Sequence, residues 1–113
     1  MAFRGLDVHD ATERAADMVN DLIDRSPRGR LLHVSQMRTS VQSVVANIGE
    51  AFGRARGDDR AHRLRIARGE AEETIRHLSA NFRSGRIGPR EYWPARNLLV
   101  VVVKMLTSLL HGQ

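Results

Sequence analysis

The sequence predicts an all-α protein, a single antiparallel, up-down-up-down four-helix bundle over residues 1–113. Three observations predict it. Four stretches repeat apolar residues at alternating spacings of three and four, the period of an amphipathic helix. Glycine and proline, which break helices, separate each stretch from the next. A chain of 113 residues, 42% of them hydrophobic and 27% charged, is also long enough to bury one core without cross-links. Short connections between four such helices favour antiparallel neighbours.

The first helix is expected over residues 8–25. Val8, Ala11, Ala15, Met18 and Leu22 form its stripe, Asp7 is its N-cap, and Pro27 and Gly29 end it. The second is expected over 32–52, on Val34, Met37, Val41, Val44, Ile48 and Phe52, with Gly53 as its C-terminal breaker. Val41, Val44 and Val45 are β-branched, but the spacing outweighs so weak a preference. The third is expected over 59–84, on Leu64, Ala67, Ala71, Ile75, Leu78 and Phe82, capped by Asp58 or Asp59 and followed by Gly85. The fourth is expected over 89–110. Pro89 suits the first helical position, whereas Pro94 deletes a backbone hydrogen bond and is expected to kink the first turns. Leu98–Val103 alone would fit a buried strand, but the run continues to Leu110 at helical spacing, and strands of that length are unusual.

The same run is 13 residues long and contains Lys104, too short to span a bilayer. The N-terminus lacks an apolar run of signal-peptide length, so a cytoplasmic protein without a membrane role is expected. The fourth helix carries more apolar surface than one core face needs. Leu98, Val102, Met105 and Leu109 form one stripe; Leu99, Val103, Leu106 and Leu110 form another about 100° further round. The second stripe is expected at an interface between copies of the chain, because a monomer would expose it as a patch; the competing reading is a wide core face, which antiparallel bundles allow. On the second helix, Gln36, Ser40, Ser43, Asn47, Glu50 and Arg54 recur at 4-3-4-3-4. This polar stripe fits either a close helix–helix seam or a solvated face.

The absence of cysteine removes disulfides, thiolate metal ligands and thiol catalysis. The net charge of +5 hides an asymmetry. Residues 1–27 carry three Arg against six acids, net −3, and residues 28–113 carry 15 basic against seven acidic side chains, net +8. Of the 18 basic residues, 17 are arginine, a bias that either base composition or bidentate phosphate recognition would produce. Arg54, Arg56, Arg60, Arg63, Arg65 and Arg68 are the candidate phosphate contacts, in a stretch (28–69) with nine Arg against Glu50, Asp58 and Asp59. Two internal uses compete. Glu72 stands four residues from both Arg68 and Arg76, and the acidic stripe Asp10, Glu13, Asp17, Asp21 and Asp24 on the first helix offers further partners. Aromatics make up only 4% of the chain, which weighs against base-stacking platforms.

No Glu-x-x-His pair of the di-iron bundle type occurs, and no catalytic motif accompanies the five histidines, so neither a metal site, a cofactor nor catalytic residues are expected. Ser43, Asn47, Ile48, Glu50 and Arg54, followed by Leu64, Ile66, Ala67, Gly69 and Glu73, resemble the motifs of a bacterial four-helix-bundle family. That family includes proteins encoded in intervening sequences of large-subunit ribosomal RNA genes and the accessory variability determinant of diversity-generating retroelements. Gly49, Ala51, Arg63 and Glu70 depart from its pattern. The resemblance implies a ring-shaped homopentamer, structural roles for Asn47, Glu50, Gly69 and Glu73, and, in the retroelement members, a basic nucleic-acid-binding surface and a reverse transcriptase partner. The expected function is therefore a non-enzymatic, oligomeric accessory protein that binds RNA or DNA through backbone phosphates with little sequence preference. The competing expectation is an oligomeric scaffold whose charges serve subunit or protein pairing alone.

Overall fold

A computed structural model of the chain describes residues 7–112. Four helices, α1 (Val8–Arg25), α2 (Val34–Gly53), α3 (Gly57–Arg83) and α4 (Pro89–His111), account for the described residues, with no strand among them. Each helix packs on its neighbours in the chain and α1 also packs on α4, while among the described residues no Cα atoms of the diagonal pairs α1/α3 and α2/α4 come within 8 Å of each other. Side-chain pairs across the seams fix the directions. Leu32 meets Asn81, Ser40 meets Thr74, and Asn47 meets Arg63, so α2 and α3 run antiparallel. Arg68 meets Thr107 and Phe82 meets Tyr92, so α3 and α4 do too. His9 against Phe52 and Asn20 against Arg38 set the same relation for α1 and α2.

The core follows the apolar stripes. Val19, Met37, Val41, Val44, Ile48, Leu64, Leu78, Leu98, Leu99, Val102 and Leu106 are essentially fully buried. Alanines at Ala11, Ala15, Ala51, Ala67 and Ala71 let the helices approach closely. α4 is, by length and composition alone, long and apolar enough to cross a membrane. Its Tyr92, Ala95, Leu98, Leu99, Val102 and Leu106 nonetheless sit in the bundle interior, where a core helix of a folded domain would place them.

Helix ends show where local chemistry differs from the simplest reading. Asp7 caps α1, its Oδ1 accepting from the Asp10 amide at 2.8 Å. α2 starts at Val34, two residues later than the spacing predicts, because Leu32 is taken up elsewhere. Its amide donates to Asn81 Oδ1 at 2.7 Å, and its carbonyl accepts from Asn81 Nδ2 at 3.0 Å. His33 then turns left-handed, at φ 58°, to enter the helix. α2 ends at Gly53, one residue beyond the expected boundary. The left-handed residue of that turn is Gly57, at φ 53°, which opens α3. Asp58 and Asp59 are therefore not caps. They lie in the first turn of α3, where carboxylates favour the helix dipole. α3 ends in a Schellman motif: Gly85 is left-handed, its amide bonds to the Phe82 carbonyl, and the Arg86 amide bonds to the Asn81 carbonyl at 2.8 Å. α4 continues through Pro94.

The loops at this end are clasped to each other. Arg30 donates to the carbonyls of Gly85 and Arg86, and Arg86 donates back to the carbonyl of Arg30 at 2.8 Å.

The polar stripe of α2 is a helix–helix seam at its centre. Buried Ser40 shares a 2.6 Å hydrogen bond with buried Thr74 of α3, and Gln36 and Arg54 at the stripe's ends stay exposed. The second apolar stripe of α4 is split. Leu99 and Leu106 belong to the core of the subunit itself, which corrects their expected place at an interface. The reason is a wide core face: α4 presents Ala95, Leu98, Leu99, Val102 and Leu106 inward to both α1 and α3. Val103 and Leu110 pack against the core but remain partly exposed, as do Val100 and Val101.

Candidate nucleic-acid interface

Arginines on α3 divide into two groups according to which neighbouring helix they border. The first group faces α2 and is used internally. Arg60 donates from Nε to the Ala51 carbonyl at 2.8 Å and lies over the Phe52 ring. Arg63 donates to Asn47 Oδ1 at 3.3 Å. Asn47 in turn donates to the Ser43 carbonyl at 2.9 Å, so this family-type Asn orders the α2 side of the seam. Arg54 and Arg56, in the turn between the helices, are exposed. Four of the six arginines singled out in the sequence thus sit at the α2/α3 end of the molecule, and two of those four already hold protein acceptors.

The second group borders α4. Arg65, Arg68, Glu72, Arg76 and Arg83 recur at 3-4-4-7 and occupy an arc of about 80° on α3. Arg68 Nη1 reaches Thr107 Oγ1 of α4 at 3.2 Å, which fixes the side on which this strip lies. On α4, Trp93, Arg96, Val100, Val103 and Thr107 recur at 3-4-3-4 along the same seam. The seam therefore carries five guanidinium groups (Arg65, Arg68, Arg76, Arg83 and Arg96) and one carboxylate, Glu72. Arg65, Arg76 and Arg83 are exposed, and Lys104 is exposed further round α4.

Neither internal use of these charges occurs within the subunit. Glu72 forms no ion pair with Arg68 or Arg76. Among the described residues the ion pairs are Asp21 with Arg25 at 3.1 Å and Asp24 with Arg38, and the Glu73 carboxylate lies 3.6 Å from the His77 imidazole. The acidic stripe of α1 is diagonal to α3 and forms no ion pair with it among the described residues. Its Asp10, Glu13 and Asp17 pair with no described residue. The molecule is thus electrically two-faced, with carboxylates outside α1 and guanidinium groups outside α3.

The remaining motif residues lie along the other flank of α3 or on α2. Glu73 is half exposed beside His77, and His77 and His33 stand with ring centroids 5.0 Å apart. Glu50 supplies its backbone carbonyl to the amides of Arg54 and Ala55 as α2 ends. Gly69 is exposed, and nothing lies within 4 Å of where a side chain would start. No group of three or more His, Asp or Glu is placed to hold a metal ion among the described residues. Arg76, Arg83, Arg96 and Trp93 were not among the site residues expected from the sequence. The signal that would have found them is the 3-4-4-7 recurrence on α3 set against the 3-4-3-4 recurrence on α4.

The fold is shared with a solved structure. A protein of unknown function from the S23 ribosomal protein family of Bacteroides thetaiotaomicron VPI-5482 superposes with a TM-score of 0.82 at 26% identity, covering 91% of this chain and 97% of that one. No curated protein matches the chain. The sequence model of the 23S rRNA-intervening sequence proteins matches residues 4–108, nearly the whole length. With its four helices and its Asn47-to-Glu73 motif region inside that match, the chain belongs to the 23S rRNA-intervening sequence protein family.

Proposed function

We propose that this protein is a non-enzymatic, cytoplasmic accessory protein that binds RNA or DNA through the α3/α4 seam. The observation that carries the reading is the strip of five guanidinium groups facing one carboxylate, with no ion pair to neutralise it. Such a strip attracts a phosphate backbone by counterion release and reads no sequence directly. Arg65, Arg76 and Arg83 are the assigned contacts, and Arg68 and Arg96, each bonded through one Nη to Thr107 or Asn97, add charge to the strip. Arg54 and Arg56 add long-range attraction from the far end, while Arg60 and Arg63 serve the fold.

Self-association belongs to the same proposal. The partly exposed Val100, Val101, Val103 and Leu110 of α4 offer apolar surface for a second copy, and a homopentameric ring is the assembly that the family resemblance implies. A reverse transcriptase is the protein partner implied in the same way. The two-faced charge also supports the second reading, a scaffold in which the α1 carboxylates of one copy meet the α3 arginines of the next.

Fluorescence polarisation with labelled generic RNA and DNA at low salt tests the first reading. Binding that weakens steeply as salt rises is expected. A flat response at low salt refutes it. Sedimentation tests assembly, and a stable 12.7 kDa monomer would refute it.

A further inference from the structure

Three of the chain's few aromatic side chains, Phe82, Tyr92 and Trp93, gather at one point of the α3/α4 seam. Phe82 and Tyr92 stack in parallel, 4.2 Å between centroids, and Tyr92 is buried. Trp93 makes T-shaped contacts with both rings, at 70° to Phe82 and 69° to Tyr92. Trp93 as a residue is 45% exposed. Phe52, the other exposed large hydrophobic residue, lies at the opposite end of the bundle beside His9 and under Arg60. Around Trp93 the surface is basic. The Arg96 guanidinium lies over one face of the indole, 5.7 Å from its centroid, which leaves the opposite face for a ligand. Arg83, next in sequence to Phe82, lines an open depression of about 580 Å³ on α3 together with Arg76, Ser79, Ala80 and Ser84.

We propose that Trp93 is a stacking platform for an unpaired nucleobase, so that the seam takes single-stranded RNA or DNA in preference to duplex. This rests on the nucleic-acid reading of the same seam and adds its substrate class. An exposed indole amid arginines matches a single strand in both its parts. The π-face accepts any base, and the guanidinium groups hold the flanking phosphates. In a duplex the bases are stacked on one another and offer no free face to an aromatic side chain. The 4% aromatic content understated this possibility, because stacking needs one well-placed ring rather than many.

Trp93 is the only tryptophan in the chain, so its fluorescence reports directly on the platform. The full-length protein is titrated with oligouridylate, with oligothymidylate, and with the corresponding duplexes, following both tryptophan emission and polarisation of the labelled strand. Single strands are expected to quench the emission and duplexes to leave it nearly unchanged. Trp93→Ala should weaken single-strand binding about 5- to 150-fold and Trp93→Phe should restore most of it. Duplex affinity should change little in either variant. Polarisation that reports binding while the emission stays constant overturns the platform and leaves the nucleic-acid reading standing. No binding by either readout overturns both. An emission change on raising the protein concentration alone would show that a second copy covers Trp93, and that too overturns the platform. Should Trp93→Ala fail to fold, the wild-type quenching and Trp93→Phe still decide the question.

Discussion

α1 and α3 occupy equivalent places in the bundle, each packed between α2 and α4, and yet their outer faces are opposites. α1 turns Asp10, Glu13, Asp17, Asp21 and Asp24 outward on one arc, with Arg14 and Arg25 beside it, whereas α3 turns out Arg65, Arg76 and Arg83 on an arc interrupted by Glu72 alone. Buried stripes of the two helices are interchangeable in kind, rich in alanine with larger aliphatic residues between. Packing therefore does not require the charge difference. Had the acids and arginines served to neutralise each other inside one subunit, they would lie on adjacent helices, but the fold sets them on diagonal ones. What the difference teaches is that the charges are directed outward, to something beyond the single chain.

The comparison breaks most readily at the arginines. Replacing Arg65, Arg76 and Arg83 together by Gln removes three phosphate contacts. It is expected to weaken nucleic-acid binding about a hundredfold near 0.1 M salt and to flatten the slope of log affinity against log salt by about two. Salt titrations followed by polarisation measure both. The scaffold that holds the faces apart gives the next effect. Asn81→Ala removes both side-chain bonds to Leu32 and leaves partly buried backbone groups unpaired, so stability should fall by about 2 kcal/mol in urea melts. Arg60→Gln with Arg63→Gln sharpens the division among the arginines. These changes should cost about 1 kcal/mol of stability and alter affinity by less than about threefold, because both side chains are occupied by Ala51 and Asn47. The smallest effect belongs to α1. Asp10→Asn, Glu13→Gln and Asp17→Asn together should raise affinity by no more than about threefold, since the charges lie across the bundle and are screened. Light scattering on the same variant separates the two functional readings: loss of assembly would favour pairing between copies.

Much of the fold was legible in the sequence. Both ends of α1 follow from Asp7, Pro27 and the 3-4 spacing. The start of α2 was not legible, because nothing local marks Leu32 as held by Asn81, 49 positions away. The end of α2 falls at the expected breaker Gly53, but the start of α3 lies two residues earlier than expected, because the left-handed residue of the turn is Gly57 and the helix opens on it. On α4 the two apolar stripes looked separable, but a helix wedged between two others buries parts of both, and Leu99 and Leu106 went inward. The candidate site was half legible. Arginine density pointed to α3, but a single helix does not reveal which flank will meet α2 and which α4. That distinction separates the occupied Arg60 and Arg63 from the outward Arg65, Arg76 and Arg83. Trp93 escaped notice because composition averages over the chain what the fold concentrates at one point.

The most direct measurement sets the two faces side by side: polarisation of one labelled single strand with the wild-type chain, the triple α3 variant and the triple α1 variant, across a salt series. A large loss of affinity and a flatter salt slope are expected for the α3 variant alone. Equal behaviour of all three proteins, or a loss as large from the α1 variant, would contradict the assignment of the α3/α4 seam as the nucleic-acid interface.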